Sequence, residues 1–444
     1  MYMFTREKWQ YCNEFLKKIS LNLNYNKGIL VRVNWKEIKN NGDKSMMFFV
    51  TMIIFSPMTA IIPGIYAIYL MIKNKGKIEK NYLNIGLLVL FIWSLIVALK
   101  NESVLSFLGS SMLLMYFSIG FLGQQYFITR RKINKVLKYS VYLTALTAIN
   151  GIIEKIMYIY LHKSTGEVVG PFNNRVVSSY GNPNMAGAWF ASAIFIALYL
   201  TTINSEKKQR SIYALCTGVM LIALLLTESS GAFVAFVSAL ICYYVLKNLK
   251  DKRKMIILGL SIFTIISIFL ILQSKGDTQA VLTEINSSFS SRYDIWIGSL
   301  KMISQKPLMG WGTLATLEHG KDFFYNNGNS IHSHNIYLTF FVSTGIIGLC
   351  MYLYIKLKLF KDLFKLYKVK EPLVPLLVSL NVVVIVQGLV DCSLYAPQLG
   401  ILFISTCAIT FNLSRGKVRA EKKSKKNNNA KGNIIELETK TIAI

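Results

Sequence analysis

The chain has 444 residues, 53% of them hydrophobic, with a formal net charge of +28 and a mean hydropathy of +0.42. Apolar runs long enough to cross a bilayer recur along it, which excludes an ordinary soluble domain. The positive charge lies in short segments between those runs, so the basic face that nucleic-acid binding needs is absent and no nucleic-acid partner is expected.

Residues 1–45 are polar and basic, and Cys12, Phe15, Leu16 and Ile19 share one helical face. That segment reads either as a short helix on the inner leaflet or as a solvated tail. No cleavable signal peptide is expected, since about 45 largely polar residues precede the first apolar run. Apolar runs follow at 46–72, 82–99, 104–128, 137–161, 185–203, 211–227, 230–246, 254–273, 334–355, 373–390 and 396–413. The segments 73–81, 129–138, 204–210, 247–254 and 356–371 and the tail from Ser414 are basic; 100–103, 162–184, 228–229, 274–333 and 391–395 are near neutral. The positive-inside rule makes the basic set cytoplasmic. The run 46–72 lies between two basic segments and carries Ser56-Pro57 and Pro63-Gly64 near its middle. It reads as a hairpin of two short helices, or as one kinked span with the N-terminus outside. The hairpin gives an all-α polytopic integral membrane protein of about 12 transmembrane helices. Its parts are a cytoplasmic segment 1–45, a membrane domain 46–413 and a disordered cytoplasmic tail 414–444, with large extracytoplasmic loops at 162–184 and 274–333. The six cysteines form no CxxC pair, so neither a disulfide framework nor a zinc site is expected.

His162, His319, His332 and His334 all fall in outward segments, as do Arg175 and Arg292. The loop PFNNRVVSSYGNPN holds Arg175, Tyr180, Asn182 and Asn184. A guanidinium offers a planar fork that grips phosphate oxygens. Asn184 stands where the next helix starts, so it is either its N-cap or a site residue. Arg292 is expected to begin an amphipathic helix, with Tyr293, Trp296, Ile297, Leu300 and Ile303 on one face. That helix would hold Arg292 over a head group; the alternative is an ion pair with Asp294 or Glu284. The Gly310-Trp311-Gly312 stretch reads as a turn rather than a phosphate loop. His332-Ser333-His334-Asn335 opens the run 334–355. A neutral imidazole there accepts a proton near pH 7, or starts the helix, and an H-x-H pair binds metal only with a third ligand that the sequence does not make obvious. No D-x-D pair is present, so a sugar-nucleotide–metal site is unsupported, and arginines can stabilise a diphosphate leaving group instead. Glu154 and Lys155 interrupt the run 137–161, either near a helix end or along a transport path.

The motifs RVVSSYGNPN at 175–184, SRYDIW at 291–296, PLMGWG at 307–312, HSHNIYL at 332–338 and GIIGL at 345–349 resemble the O-antigen ligase/polymerase superfamily of bacterial envelope glycan enzymes. The resemblance implies a GT-C-like, metal-independent enzyme without cofactor, in the bacterial cell membrane with both termini cytoplasmic. It implies transfer of glycan from undecaprenyl diphosphate to an acceptor hydroxyl on the outer face. His334 would act as base, with Arg175 and Arg292 on the diphosphate. His332, Asn335, Tyr180, Asn184 and Trp296 would complete the substrate site. Thr227-Glu228-Ser229-Ser230-Gly231 departs from the Ser-Arg-Gly of many members, so this sequence offers no counterpart for that arginine. The Lys-, Asn- and Ile-rich composition favours a polymerase of capsule or other surface polysaccharide over a ligase. A polymerase implies a flippase and a chain-length regulator as partners. A lipid-linked oligosaccharide transporter is the reading from another class.

Overall fold

The computed structural model describes residues 42–73, 78–165, 171–248, 278–325 and 330–416, with two isolated residues between 248 and 278. All regular structure among them is helical. In chain order the helices are α1 (Gly42–Phe55), α2 (Ile61–Lys73), α3 (Tyr82–Lys100), α4 (Val104–Tyr126), α5 (Arg130–Thr165), the single turn α6 (Pro171–Asn174) and α7 (Pro183–Ile203). They continue with α8 (Lys207–Leu226), α9 (Ser230–Asn248), α10 (Thr278–Gln305), α11 (Ala315–Phe323), α12 (Ile336–Lys368) and α13 (Val374–Gln387), then α14 (Pro397–Gly416). Among the described residues, 8 helices are long and apolar enough to cross a membrane, and α2 and α13 are shorter apolar helices. The chain is an all-α polytopic membrane protein. The apolar run 254–273, most of the 1–45 segment and the tail beyond 416 lie outside the described residues. Met46–Ile444 forms one compact unit, distinct from Met1–Ser45.

Helix α7 is the axis of that unit. It is apolar around its whole circumference, and nearly every residue from Pro183 to Leu200 is buried. A helix of that kind has no lipid face and must be enclosed by others. It packs against α5, α8, α9 and α13. Small residues at Ala186, Gly187, Ala188, Ala191, Ser192 and Ala193 let those neighbours approach closely. Its start is sharply specified. Asn182 is the N-cap, its side chain accepting the Asn184 N–H at 2.8 Å, with Pro183 at the first helical position. Asn184 is therefore not the cap, and its side chain is released for other work.

The 46–72 run folds as the expected hairpin. Helices α1 and α2 are separated by a turn at 56–60, and Phe49 packs on Tyr66 with ring centroids 5.1 Å apart. The hairpin tip lies at one end of the bundle, where Ser179 Oγ donates to the Ile54 carbonyl at 3.0 Å. The same end carries the α8–α9, α10–α12 and α13–α14 connections. The opposite end carries the basic connections, tied by Arg130 to Glu371 at 2.7 Å and by Arg415 to Glu79.

Two of the sequence motifs explain each other. Helix α12 breaks at Gly345, whose φ of 64 and ψ of −168 are left-handed and non-helical. The break frees carbonyls that need donors. Trp311 N–H takes Val342 O at 2.7 Å and Gly312 N–H takes Ser343 O at 2.9 Å. Trp93 Nε1 takes Thr344 O at 2.8 Å, and Ile346 N–H returns to Pro307 O at 2.9 Å. A Cβ at Gly310 would stand 2.6 Å from the Gly345 nitrogen. PLMGWG and GIIG thus clamp backbone to backbone and aim the first turns of α12.

Candidate functional site

Arg175 follows the short turn α6, on a loop held from below by α5. Lys155 Nζ donates to the Asn174 carbonyl at 2.9 Å and pairs with Glu228 at 2.7 Å. Glu154 accepts the Ser178 N–H at 2.8 Å. Glu154 and Lys155 thus serve the arginine loop at the end of the bundle. Arg175 itself donates from Nε to the Thr227 carbonyl at 2.9 Å and from Nη2 to Asn184 Oδ1 at 3.1 Å.

The two histidines converge on a carboxylate. His332 Nε2 lies 3.3 Å and His334 Nδ1 lies 3.6 Å from the same oxygen of Asp391, Oδ1. The His334 backbone N–H donates to His332 Nδ1 at 3.2 Å. A backbone N–H can only donate, so that nitrogen is unprotonated and the His332 proton sits on Nε2, facing Asp391. Burial pushes the His332 imidazole down to about 4 against the opposing pull of Asp391, so it is neutral near pH 7. Burial acts to raise the Asp391 carboxyl, but the close approach of the His334 and His332 imidazoles and the Cys392 N–H together hold it well below the usual carboxylate range. The Cys392 thiol next to it is pushed by burial up to about 12 and stays protonated. His334 differs from His332 in exposure. Its side chain is 31% exposed against 11% for His332 and 3% for Asp391. Its Nδ1 is buried on the Asp391 side, so the exposed part of the ring lies among its other atoms. A left-handed backbone at His334, φ 45, holds this pose, and Trp296 Nε1 fixes its carbonyl at 3.3 Å.

The segment 388–392 fastens these parts together. Successive carbonyls of Gly388, Leu389 and Val390 accept from Ile336 N–H at 2.7 Å, from Asn335 Nδ2 at 3.1 Å and from Arg292 Nε at 3.0 Å. Asp391 comes next, its Oδ1 accepting the Cys392 N–H at 2.7 Å and its Oδ2 accepting Asn184 Nδ2 at 3.0 Å. Arg175, Asn184, Asp391, His332 and His334 therefore form one continuous hydrogen-bonded and close-contact chain, with Arg292 anchored one residue away.

Most of the residues expected from sequence meet here, in altered roles. Arg292 does not begin its helix; α10 starts at Thr278. Of the expected apolar face of that helix only Ile303 is buried, while Tyr293, Ile297 and Leu300 are exposed; the buried face carries Ile295 and Met302 instead. Asn335 is the N-cap of α12, accepting from the Tyr337 and Leu338 N–H groups. Trp296 positions His334 through its indole N–H. Tyr180 stands apart: it is 3% exposed, hydrogen-bonded to Thr147 at 2.9 Å and stacked on Trp189, so it packs the core. His319 lies against Trp311, and the exposed His162 is in the last turns of α5. Asp391 was missed. Its signal was an acid in a five-residue gap between two apolar runs, where a charge is costly unless it is used. It also supplies the third donor group that the H-x-H pair lacked, the candidate atoms lying within 4.8 Å of one another.

The family model described as O-Antigen ligase matches residues 215–353, which include Arg292, His332 and His334. Over 229 residues the chain is 23% identical to the ComP-specific O-oligosaccharyltransferase of Acinetobacter baylyi, a match that covers 49% of this chain and 40% of that relative. The chain thus aligns with less than half of that relative's length. Both matches agree with the resemblance to the O-antigen ligase/polymerase superfamily.

Proposed function

We propose that the protein is a membrane glycosyltransferase that lengthens surface polysaccharide from undecaprenyl-diphosphate-linked repeat units at the outer face of the bacterial plasma membrane, with both termini cytoplasmic. The observation that carries the reading is the His334–Asp391 pair standing beside two anchored arginines at the end of the bundle opposite the basic connections. The acceptor hydroxyl attacks the anomeric carbon of the donor sugar. The bond from that carbon to the phosphate oxygen breaks, and the leaving diphosphate keeps the electron pair. The acceptor proton passes to His334 Nε2, while Nδ1 faces Asp391, which stabilises the imidazolium that forms. Arg175 and Arg292 bind the diphosphate and offset its growing charge. Tyr180 takes no part in this scheme, Asn335 and Trp296 act by holding the histidine loop, and a flippase and a chain-length regulator are the partners that polymerisation implies.

A second reading has its own support. The family description is a ligase and the relative's name is an oligosaccharyltransferase, which favours transfer of a finished glycan to a terminal acceptor. Purified protein given only lipid-diphosphate-linked repeat units separates the two. A ladder of longer lipid-linked glycans supports the polymerase. Turnover that appears only when a protein or lipid acceptor is added replaces it with the ligase reading.

A further inference from the structure

We propose that Asn184 is a positioning residue that works as a neutral spacer, holding the cation of Arg175 and the anion of Asp391 at fixed places while keeping them from pairing directly. The proposal rests on the glycosyl-transfer reading above for its kinetic consequences.

The geometry assigns each end of the amide. Its Oδ1 accepts from Arg175 Nη2 at 3.1 Å and from Ser229 Oγ at 3.0 Å. Its Nδ2 donates to Asp391 Oδ2 at 3.0 Å. A guanidinium only donates and a carboxylate only accepts, so one orientation alone satisfies both partners. The amide sits in the first turn of α7, the most enclosed helix of the bundle, so it is fixed by the core. Asp391 divides its oxygens accordingly: Oδ2 goes to Asn184 and Oδ1 to the Cys392 N–H and the two imidazoles. Nearby, Glu228 is engaged by Lys155, and Arg292 is held at the Val390 carbonyl. Arg175 and Asp391 have opposite charge and share one neighbour. A direct ion pair would spend the guanidinium on the carboxylate and weaken the hold of Asp391 on the histidines. A neutral donor–acceptor between them satisfies both groups and leaves each charge in place.

Asn184→Asp is nearly isosteric and inverts this logic. It sets a carboxylate in place of the amide against Arg175 and turns an oxygen towards Asp391. In the full-length detergent-solubilised protein, the expected result is a donor KM raised at least about tenfold, with the acid limb of the pH–rate profile moved up by about one unit, because added negative charge favours protonated imidazole. Asn184→Ala should raise the donor KM without the upward shift of the limb. The chain has four histidines, so ¹⁵N-histidine NMR provides a readout independent of turnover. In Asn184→Asp the His332 signal should titrate at higher pH than in the wild type. A wild-type protein that transfers no glycan would sink the glycosyl-transfer reading and leave the NMR test standing. Wild-type histidine titration in folded Asn184→Asp, or wild-type donor KM in both variants, would overturn the spacer.

Discussion

At the scale of single residues, the site depends on groups that each hold another in place. Asp391→Asn should lower the transfer rate about 10²-fold or more, since an amide neither stabilises the imidazolium nor keeps the neighbouring proton where it is needed. Arg175→Lys should cost about 10²-fold in kcat/KM. A guanidinium reaches the Thr227 carbonyl and Asn184 Oδ1 together, and a single ammonium cannot reproduce that fork. Steady-state kinetics on folded variants checks both. His332 makes a separate claim about stability. Its folded pKa of about 4 lies below the 6.5 of an ordinary histidine. Between those values the unfolded chain binds a proton that the folded chain does not, so the contribution is present above about 6.5 and is lost as pH falls through 4. The lowered Asp391 pKa acts in the same direction at still lower pH. Thermal unfolding across pH 7 to 4 should show this loss, and His332→Gln should flatten it. The arginines and histidines were legible in the sequence because they are rare on the outer side. Asp391 was not, because one acid in a short gap has no periodicity or spacing to mark it, and its importance comes from neighbours distant in the chain.

At the scale of elements, hydropathy located the described apolar helices but not their ends, and it did not mark α6, α10 or α11. Helix α5 begins at Arg130 and α12 runs to Lys368, because helices continue past the apolar stretch into basic turns. Lys356, read as part of a basic loop, is instead buried in α12, with its ammonium 4.5 Å from the Phe403 ring centre. Asn184 looked like a cap because composition alone cannot tell which of two asparagines takes the N-cap torsions. The α12 kink is the element on which the histidine loop depends. A side chain at Gly345 would force an unfavourable left-handed backbone and drive a Cβ into the Leu308 carbonyl. Gly345→Ala should therefore destabilise the protein by about 1–3 kcal/mol or more and disturb the site. Gly218→Ala in α8, where no atom lies within 4 Å of the added Cβ, is the matched control. Equal thermal stability of the two variants would remove the strained clamp as a constraint.

At the scale of the whole molecule, the described basic connections are tied together by Arg130–Glu371 and Arg415–Glu79, away from the site, and the positive-inside rule makes their side cytoplasmic. In a cysteine-free background, a cysteine at the exposed Lys321 should react with an impermeant thiol reagent in intact cells, and one at the exposed Lys208 should not. The reverse pattern would place the site inside the cell and remove it from an outward-facing donor. The proposed glycan transfer depends on His334 as its base. The most direct measurement is release of lipid diphosphate from a lipid-diphosphate-linked oligosaccharide by purified wild-type and His334→Ala protein, in matched amounts, with chelator present. The predicted result is chelator-insensitive release by the wild type and a loss of about 10²–10⁴-fold in His334→Ala. Undiminished release by a folded His334→Ala protein, or complete loss of wild-type release with chelator, would contradict it.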